Sequence, residues 1–155
     1  MSKAILGKKI PAFTAEATGG KSVNSRELIG QACVLYFYPR DNTPGCTIES
    51  NDFGTQHGKF KRRKVAVYGI SRDTLKSHEK FKEKFGFPFD LIADPDEKIC
   101  TLFGVMKDKT MYGKKVRGIE RSTFLFDANG VLRREWRKVK IEGHVDEVLE
   151  AAKSL

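Results

Sequence analysis

Apolar residues gather into dense runs along this chain, and between them lie polar stretches whose few apolar positions recur at helical spacing. The run Cys33–Pro39 (CVLYFYP) is continuous and aromatic, which predicts a strand buried on both faces. Val65–Ser71 (VAVYGIS) and Phe89–Asp94 (FDLIAD) read the same way. Between them, Arg72–Gly86 places Leu75, His78, Phe81 and Phe85 on one stripe, an amphipathic helix closed by Gly86, with Ser71 or Asp73 as its N-cap. After Pro39 the chain opens with turn formers, and Ile48, Phe53 and Phe60 then follow at loosely helical spacing. The stretch PDEKICTLFGV predicts a short helix ended by Gly104, and HVDEVLEAAKSL a closing helix. Two hairpins complete the pattern. Phe13–Val23 turns at Gly19-Gly20, and Ser122–Trp136 alternates on both sides of Ala128-Asn129-Gly130. Strands alternating with helices, then a hairpin and a last helix, predict an α/β fold: a mixed central sheet flanked by helices, with an N-terminal hairpin. No linker or repeat interrupts the pattern, so residues 1–155 are expected to form one domain.

Composition narrows this picture slightly. The formal net charge of +9 raises the possibility of nucleic-acid or acidic-partner binding, most of all at Lys59–Lys64 (KFKRRK). Acidic residues are interleaved elsewhere, and that basic run precedes an apolar strand, so a solvated helix end is the expected reading and no nucleic-acid partner is expected. The N-terminus carries no apolar run of signal-peptide character and no segment is long enough to span a bilayer, so no membrane association is expected. Three cysteines are too few for a disulfide framework, which favours a reducing, cytoplasmic setting. His57, His78 and His144 share no metal-ligand spacing and are read as surface or packing residues, so neither metal nor organic cofactor is indicated.

Cys46 is the residue that carries chemistry. It follows Thr43-Pro44-Gly45 at the predicted start of a helix, just after a buried strand. Proline suits a helix's first turn, and glycine permits close approach of the backbone to a ligand. The unpaired N–H groups and positive dipole end of the helix stabilise an anion there, and the thiolate is the reactive form of a thiol. A small buried cysteine is the plainer alternative. No C-x-x-C pair is present, which argues against a thiol–disulfide exchange protein.

Pro39, Thr43 and Cys46 stand in the spacing P-x-x-x-T-x-x-C, which resembles the active-site motif of the peroxiredoxins. The wider segment YFYPRDNTPGCTIE, with GISRD, FDLIAD, MYGKK and IERSTFLFDANG, is similar to the Q or bacterioferritin-comigratory-protein subfamily from about Phe13 onward. The resemblance implies a thioredoxin-like fold and a thiol-dependent peroxidase acting on hydrogen peroxide or small organic hydroperoxides. It implies that Cys46 attacks the peroxide and becomes a sulfenic acid, that the Thr43 hydroxyl bonds the thiolate and the peroxide, and that Pro39 shields the pocket. By the same resemblance Arg121 is the arginine that reaches the site from a distant strand. Glu49, one turn beyond Cys46, is a candidate to hold Arg121, or else an exposed helix carboxylate. A guanidinium, a hydroxyl and the amides of Gly45 and Cys46 suit a reaction that spreads negative charge over sulfur and the departing oxygen.

The family's resolving cysteine is missing from both usual places. Asn51 occupies one, and the helix KSHEKFKEKFG, the other, contains no cysteine. A single-cysteine cycle is therefore expected, reduced by an external thiol such as thioredoxin, glutaredoxin or glutathione. Cys33 reads as packing, and Cys100 as a buried helix cysteine, with an unusual resolving role as the alternative. A monomer or weak homodimer is expected from the subfamily.

Overall fold

The computed structural model describes residues 3–155. An N-terminal hairpin is formed by β1 (Thr14–Ala17) and β2 (Lys21–Asn24), followed by a single turn of helix, α1 (Ser25–Leu28). Next come β3 (Ala32–Phe37), α2 (Pro44–Arg62), β4 (Val65–Ser71), α3 (Leu75–Phe85), β5 (Asp90–Ala93) and α4 (Lys98–Leu102). The chain closes with β6 (Met106–Met111), β7 (Lys114–Ile119), β8 (Ser122–Phe126), β9 (Leu132–Trp136) and α5 (His144–Lys153). Seven strands form one mixed sheet in the order β2-β1-β5-β4-β3-β8-β9. Its centre, β5-β4-β3, is parallel, and antiparallel pairs extend it on both sides.

Alternation along β3 assigns each side chain to one of two cores. Cys33, Leu35 and Phe37 pack with Phe103, Phe124, Phe126 and the α4 residues Ile99 and Cys100. Val34, Tyr36 and Tyr38 face the other way, onto Cys46, Phe53 and Phe60 of α2, Phe81 of α3 and Val148 of α5. The central strands are thus covered on both faces, as their unbroken apolar runs require.

Several local expectations are corrected. The N-cap of α3 is Thr74, whose hydroxyl accepts the Ser77 amide at 3.2 Å. Ser71 still belongs to β4, and the carboxylate of Asp73 is taken up by the Ser71 hydroxyl at 2.5 Å and the Asp41 amide at 2.8 Å. Ile48 is 54% exposed, because the buried face of α2 runs through positions 46, 49, 50, 53 and 60, and position 48 points away from it. The sequence pattern also gave no warning of the two-stranded ribbon β6–β7. It turns at Tyr112-Gly113, with φ of 52° and 76°, the left-handed pair that suits a two-residue hairpin. The basic run at Lys59–Lys64 does lie at the exposed end of α2. No helix of the described residues is long and apolar enough to cross a membrane.

Candidate active site

Cys46 lies in the first turn of α2, whose N-cap is Thr43 and whose first residue is Pro44. It is 1% exposed. Among the described residues, Arg121 is the side chain hydrogen-bonded to it: Nη2 lies 3.5 Å from Sγ. Arg121 sits in the short link between β7 and β8, so the antiparallel β3–β8 pairing brings it to the loop that follows β3. Its other terminal nitrogen donates to Glu49 Oε1 at 2.8 Å. Glu49 is fully buried, which decides between its two sequence readings in favour of the ion pair. Among the described residues, the second oxygen, Oε2, has no hydrogen-bond partner. Arg121 is thereby fixed between a carboxylate and the sulfur, a planar donor held at two points.

The other expected members take different positions. Pro39 is half-buried directly after Tyr38. The Thr43 hydroxyl donates to the Arg40 carbonyl at 2.8 Å rather than to Cys46. Gly45 is needed for a reason its sequence context did not reveal. A Cβ there would lie 3.1 Å from Ile141 Cδ1 and 3.2 Å from Arg121 Nη2, so the close approach is made by protein side chains. Ile141 was missed by sequence reasoning; its only signal is an apolar residue within the charged run before α5. Gly45→Ala is therefore expected to leave the helix as stable as before or slightly more so, while displacing Arg121. The expected outcome is a several-fold loss in peroxide rate at an unchanged urea midpoint.

Cys33 and Cys100 are unsuited to the same chemistry. Burial pushes the Cys33 thiol up to about 12. Burial, and then the neighbouring Asp94 carboxylate, push Cys100 far above the usual thiol range. Both lie in the core on the other side of the sheet from Cys46. A surface cavity of about 600 Å³ opens away from Cys46, among Phe13, Ala93, Ile99 and Leu102.

Two of the three histidines, His78 and His144, are buried and hydrogen-bonded as well as packed, while His57 is half-buried. His144 is 4% exposed and its Nε2 lies 2.8 Å from the Thr123 hydroxyl. His78 is fully buried, with Nδ1 2.7 Å from Asp41 Oδ2 and Nε2 3.0 Å from the Ile92 carbonyl. Asp41, Asp73 and His78 bring ligand-type atoms within 4.8 Å of one another. Hydroxyl and amide donors from Tyr38, Ser71, Ser77 and Asp41 already meet the two carboxylates.

Two buried groups give opposing pH dependences. Burial pushes Glu49 up to about 7 from an ordinary 4.5, with Arg121 pulling it partly back. Burial pulls His144 down to about 4 from 6.5, against the neighbouring Glu147. Between about 4.5 and 7 the folded chain keeps the Glu49 proton that the unfolded chain has lost, so this group lowers stability as pH rises. Between about 4 and 6.5 the unfolded chain binds a His144 proton that the folded chain excludes, so this group raises stability as pH rises. Each effect is on the order of 3 kcal/mol when fully developed. Over their common window they offset each other. Glu49→Gln should unmask a stability that climbs between pH 4.5 and 6.5, and His144→Asn one that falls. Urea midpoints across this range check both signs, and parallel profiles for the two variants would refute the assignment.

A buried cysteine at a helix N-terminus, bonded to an arginine that a buried carboxylate holds, on a seven-stranded thioredoxin-type sheet, defines a thiol-based redox protein. The chain belongs to the AhpC/TSA family, whose model matches residues 6–135. Within that family its similarity is to the peroxiredoxins called Bcp and Q. It is 46% identical to Peroxiredoxin Bcp of Xanthomonas campestris over 99% of this chain and 98% of that one. With Peroxiredoxin Bcp of Bacillus subtilis it shares 43% identity, over 97% and 96% of the two chains. Among solved structures, a mutant of Xylella fastidiosa PrxQ superposes with a TM-score of 0.92 at 39% identity, covering 99% of this chain and 98% of that one. A Xanthomonas campestris bacterioferritin comigratory protein, whose structures address its alkyl peroxide reduction activity, matches with a TM-score of 0.87 at 46% identity, covering 92% and 90%. The activity that goes with this membership is that of a thiol-dependent peroxidase.

Proposed function

We propose that Cys46 is the peroxidatic residue and that it works without a resolving cysteine. The Cys46 thiolate attacks one peroxide oxygen, the O–O bond breaks, and the other oxygen leaves as water or an alcohol after taking a proton. Sulfur is oxidised to sulfenic acid and the peroxide is reduced by two electrons. An external thiol then displaces water to form a mixed disulfide, and a second thiol releases Cys46 reduced. Arg121 and the amides of Gly45 and Cys46 stabilise the charge that develops on the oxygens, Thr43 hydrogen-bonds the peroxide after turning from Arg40, Pro39 shields the sulfur, and Glu49 holds Arg121. Hydrogen peroxide and small organic hydroperoxides are the substrates, with thioredoxin, glutaredoxin or glutathione as reductant. We place residues 1–155 in one catalytic domain, monomeric or weakly dimeric, in the cytoplasm.

The observation that carries this reading is the 3.5 Å contact of Arg121 Nη2 with Cys46 Sγ, the other guanidinium nitrogen being fixed on buried Glu49. The single-cysteine cycle is supported by the placement of Cys100 in the opposite core, since a disulfide requires Cα atoms within about 7 Å and the sheet lies between. Cys100→Ser is therefore expected to keep near-normal turnover with glutathione or a thioredoxin system. Loss of turnover in that variant, together with a Cys46–Cys100 peptide in non-reducing maps of the peroxide-treated wild type, would favour a two-cysteine cycle instead.

A further inference from the structure

We propose that Asp41 and His78 form a charged latch by which α3 positions the peroxidatic loop, and that His78 is a positioning residue for the peroxide reaction. The inference rests on the reading of Cys46 as the peroxidatic residue. The loop from Arg40 to Thr43 contributes Thr43 to the site and leads directly into the first turn of α2. Little of its geometry is imposed from within. The Thr43 hydroxyl closes on the Arg40 carbonyl, and Asn42 takes a left-handed backbone, φ 59°. The remaining restraints come from outside the loop. Asp41 Oδ1 accepts the Tyr38 hydroxyl at 2.6 Å, and Oδ2 accepts the Ser77 hydroxyl at 2.8 Å and meets His78 Nδ1 at 2.7 Å. The Asp41 amide donates to Asp73 at 2.8 Å, and Lys84 donates to the Asn42 side chain at 3.2 Å. Ser77, His78 and Lys84 all belong to α3, so one helix holds two consecutive residues of the loop.

Hydrogen-bond chemistry fixes the charge of this contact. His78 Nε2 faces the Ile92 carbonyl, which can only accept, so Nε2 carries a proton. Nδ1 faces an Asp41 carboxyl that already receives two hydroxyl protons, the pattern of an ionised carboxylate. Nδ1 also lies 3.4 Å from the Tyr38 hydroxyl, whose nearer partner is Asp41 Oδ1 at 2.6 Å, and in the proposed latch it donates to Asp41 Oδ2 at 2.7 Å. The latch is then an imidazolium paired with a carboxylate, both side chains buried. Truncating one partner leaves the other charge buried without its match, so the pair specifies how loop and helix meet.

The function of such a latch is geometric. Peroxide attack requires Thr43 and the helix terminus in register with Cys46, and small misplacements at a reacting centre cost rate steeply. His78→Leu, which preserves bulk but donates nothing, is expected to slow the single-turnover reaction of Cys46 with peroxide roughly tenfold to a hundredfold. Alkylation of Cys46 by iodoacetamide, which makes no use of the peroxide pocket, should change less than about threefold. His78→Asn can return one N–H to Asp41 and is expected to recover much of the peroxide rate. Nitrogen-15 spectra of the wild type should show both ring nitrogens of His78 protonated, and Asp41→Asn should reduce this to one. A His78→Leu protein that folds and reacts with peroxide within twofold of wild type overturns the proposal. So does an equal loss of peroxide and iodoacetamide reactivity, or a single ring proton in the wild type. If His78→Leu does not fold, the His78→Asn and Asp41→Asn rates and the wild-type spectrum decide the matter. Failure of wild-type Cys46 to oxidise would instead remove the peroxidatic reading and leave the spectrum to report on the ion pair itself.

Discussion

The Cys46→Ser protein is expected to consume no peroxide above background with any thiol donor, whereas Cys33→Ser and Cys100→Ser keep most of the wild-type rate. The physical reason is the contrast among three buried thiols. Among the three, Cys46 is the one with a guanidinium hydrogen-bonded to it, 3.5 Å away, at the start of the 19-residue helix α2. Cys33 and Cys100 are held protonated by their surroundings, and a protonated thiol is a poor nucleophile toward peroxide. A serine hydroxyl at position 46 has no base to activate it and forms no stable counterpart of a sulfenic acid. Peroxide consumption coupled to thiol oxidation separates the cases directly. Substantial turnover by Cys46→Ser would move the chemistry elsewhere.

The second large effect belongs to Arg121. Arg121→Ala is expected to slow the reaction of Cys46 with peroxide on the order of 10²-fold or more, the usual cost of losing one well-placed donor to developing charge. It also leaves Glu49 buried without its partner, which destabilises the fold by several kcal/mol when the carboxyl is ionised. Because Glu49 takes up a proton near 7, that loss of stability should be small in mild acid and grow as pH rises above neutrality. The double variant Arg121→Ala/Glu49→Gln separates the two roles. It should recover stability at alkaline pH while peroxide reactivity stays low. A wild-type peroxide rate in Arg121→Ala would refute the pocket.

The strands and helices were legible because their apolar runs and stripes are long, and because the same faces are buried in the fold. Cys33–Pro39 read as a doubly buried strand, and β3 feeds one core with Cys33, Leu35 and Phe37 and the other with Val34 and Tyr36. The β6–β7 ribbon was not legible. Its strands are lysine-rich and lack an apolar alternation, so only the Tyr112-Gly113 turn marks it. At the site, Pro39, Thr43 and Cys46 were singled out because their motif resembles that of the peroxiredoxins, and Arg121 by the same resemblance. The partners that tertiary structure gives the other residues could not be read that way. Glu49 had two readings until its pairing with Arg121, 72 residues away, was seen. The stripe of α3 correctly put His78 inward but could not reveal that it meets Asp41, because amphipathic periodicity reports burial and says nothing about the partner. Thr43 shows the reverse case: the resemblance singled the residue out but gave no sign that its hydroxyl rests on the Arg40 carbonyl.

The most direct measurement is mass spectrometry of the wild-type protein after one equivalent of peroxide, without added thiol and with rapid trapping of sulfenic acid. A single-cysteine peroxidase should carry one oxygen on the peptide containing Cys46, with Cys33 and Cys100 unmodified, and excess peroxide should drive the same sulfur on to sulfinic acid. A stoichiometric disulfide joining Cys46 to Cys100, or oxidation beginning at any other residue, would contradict it.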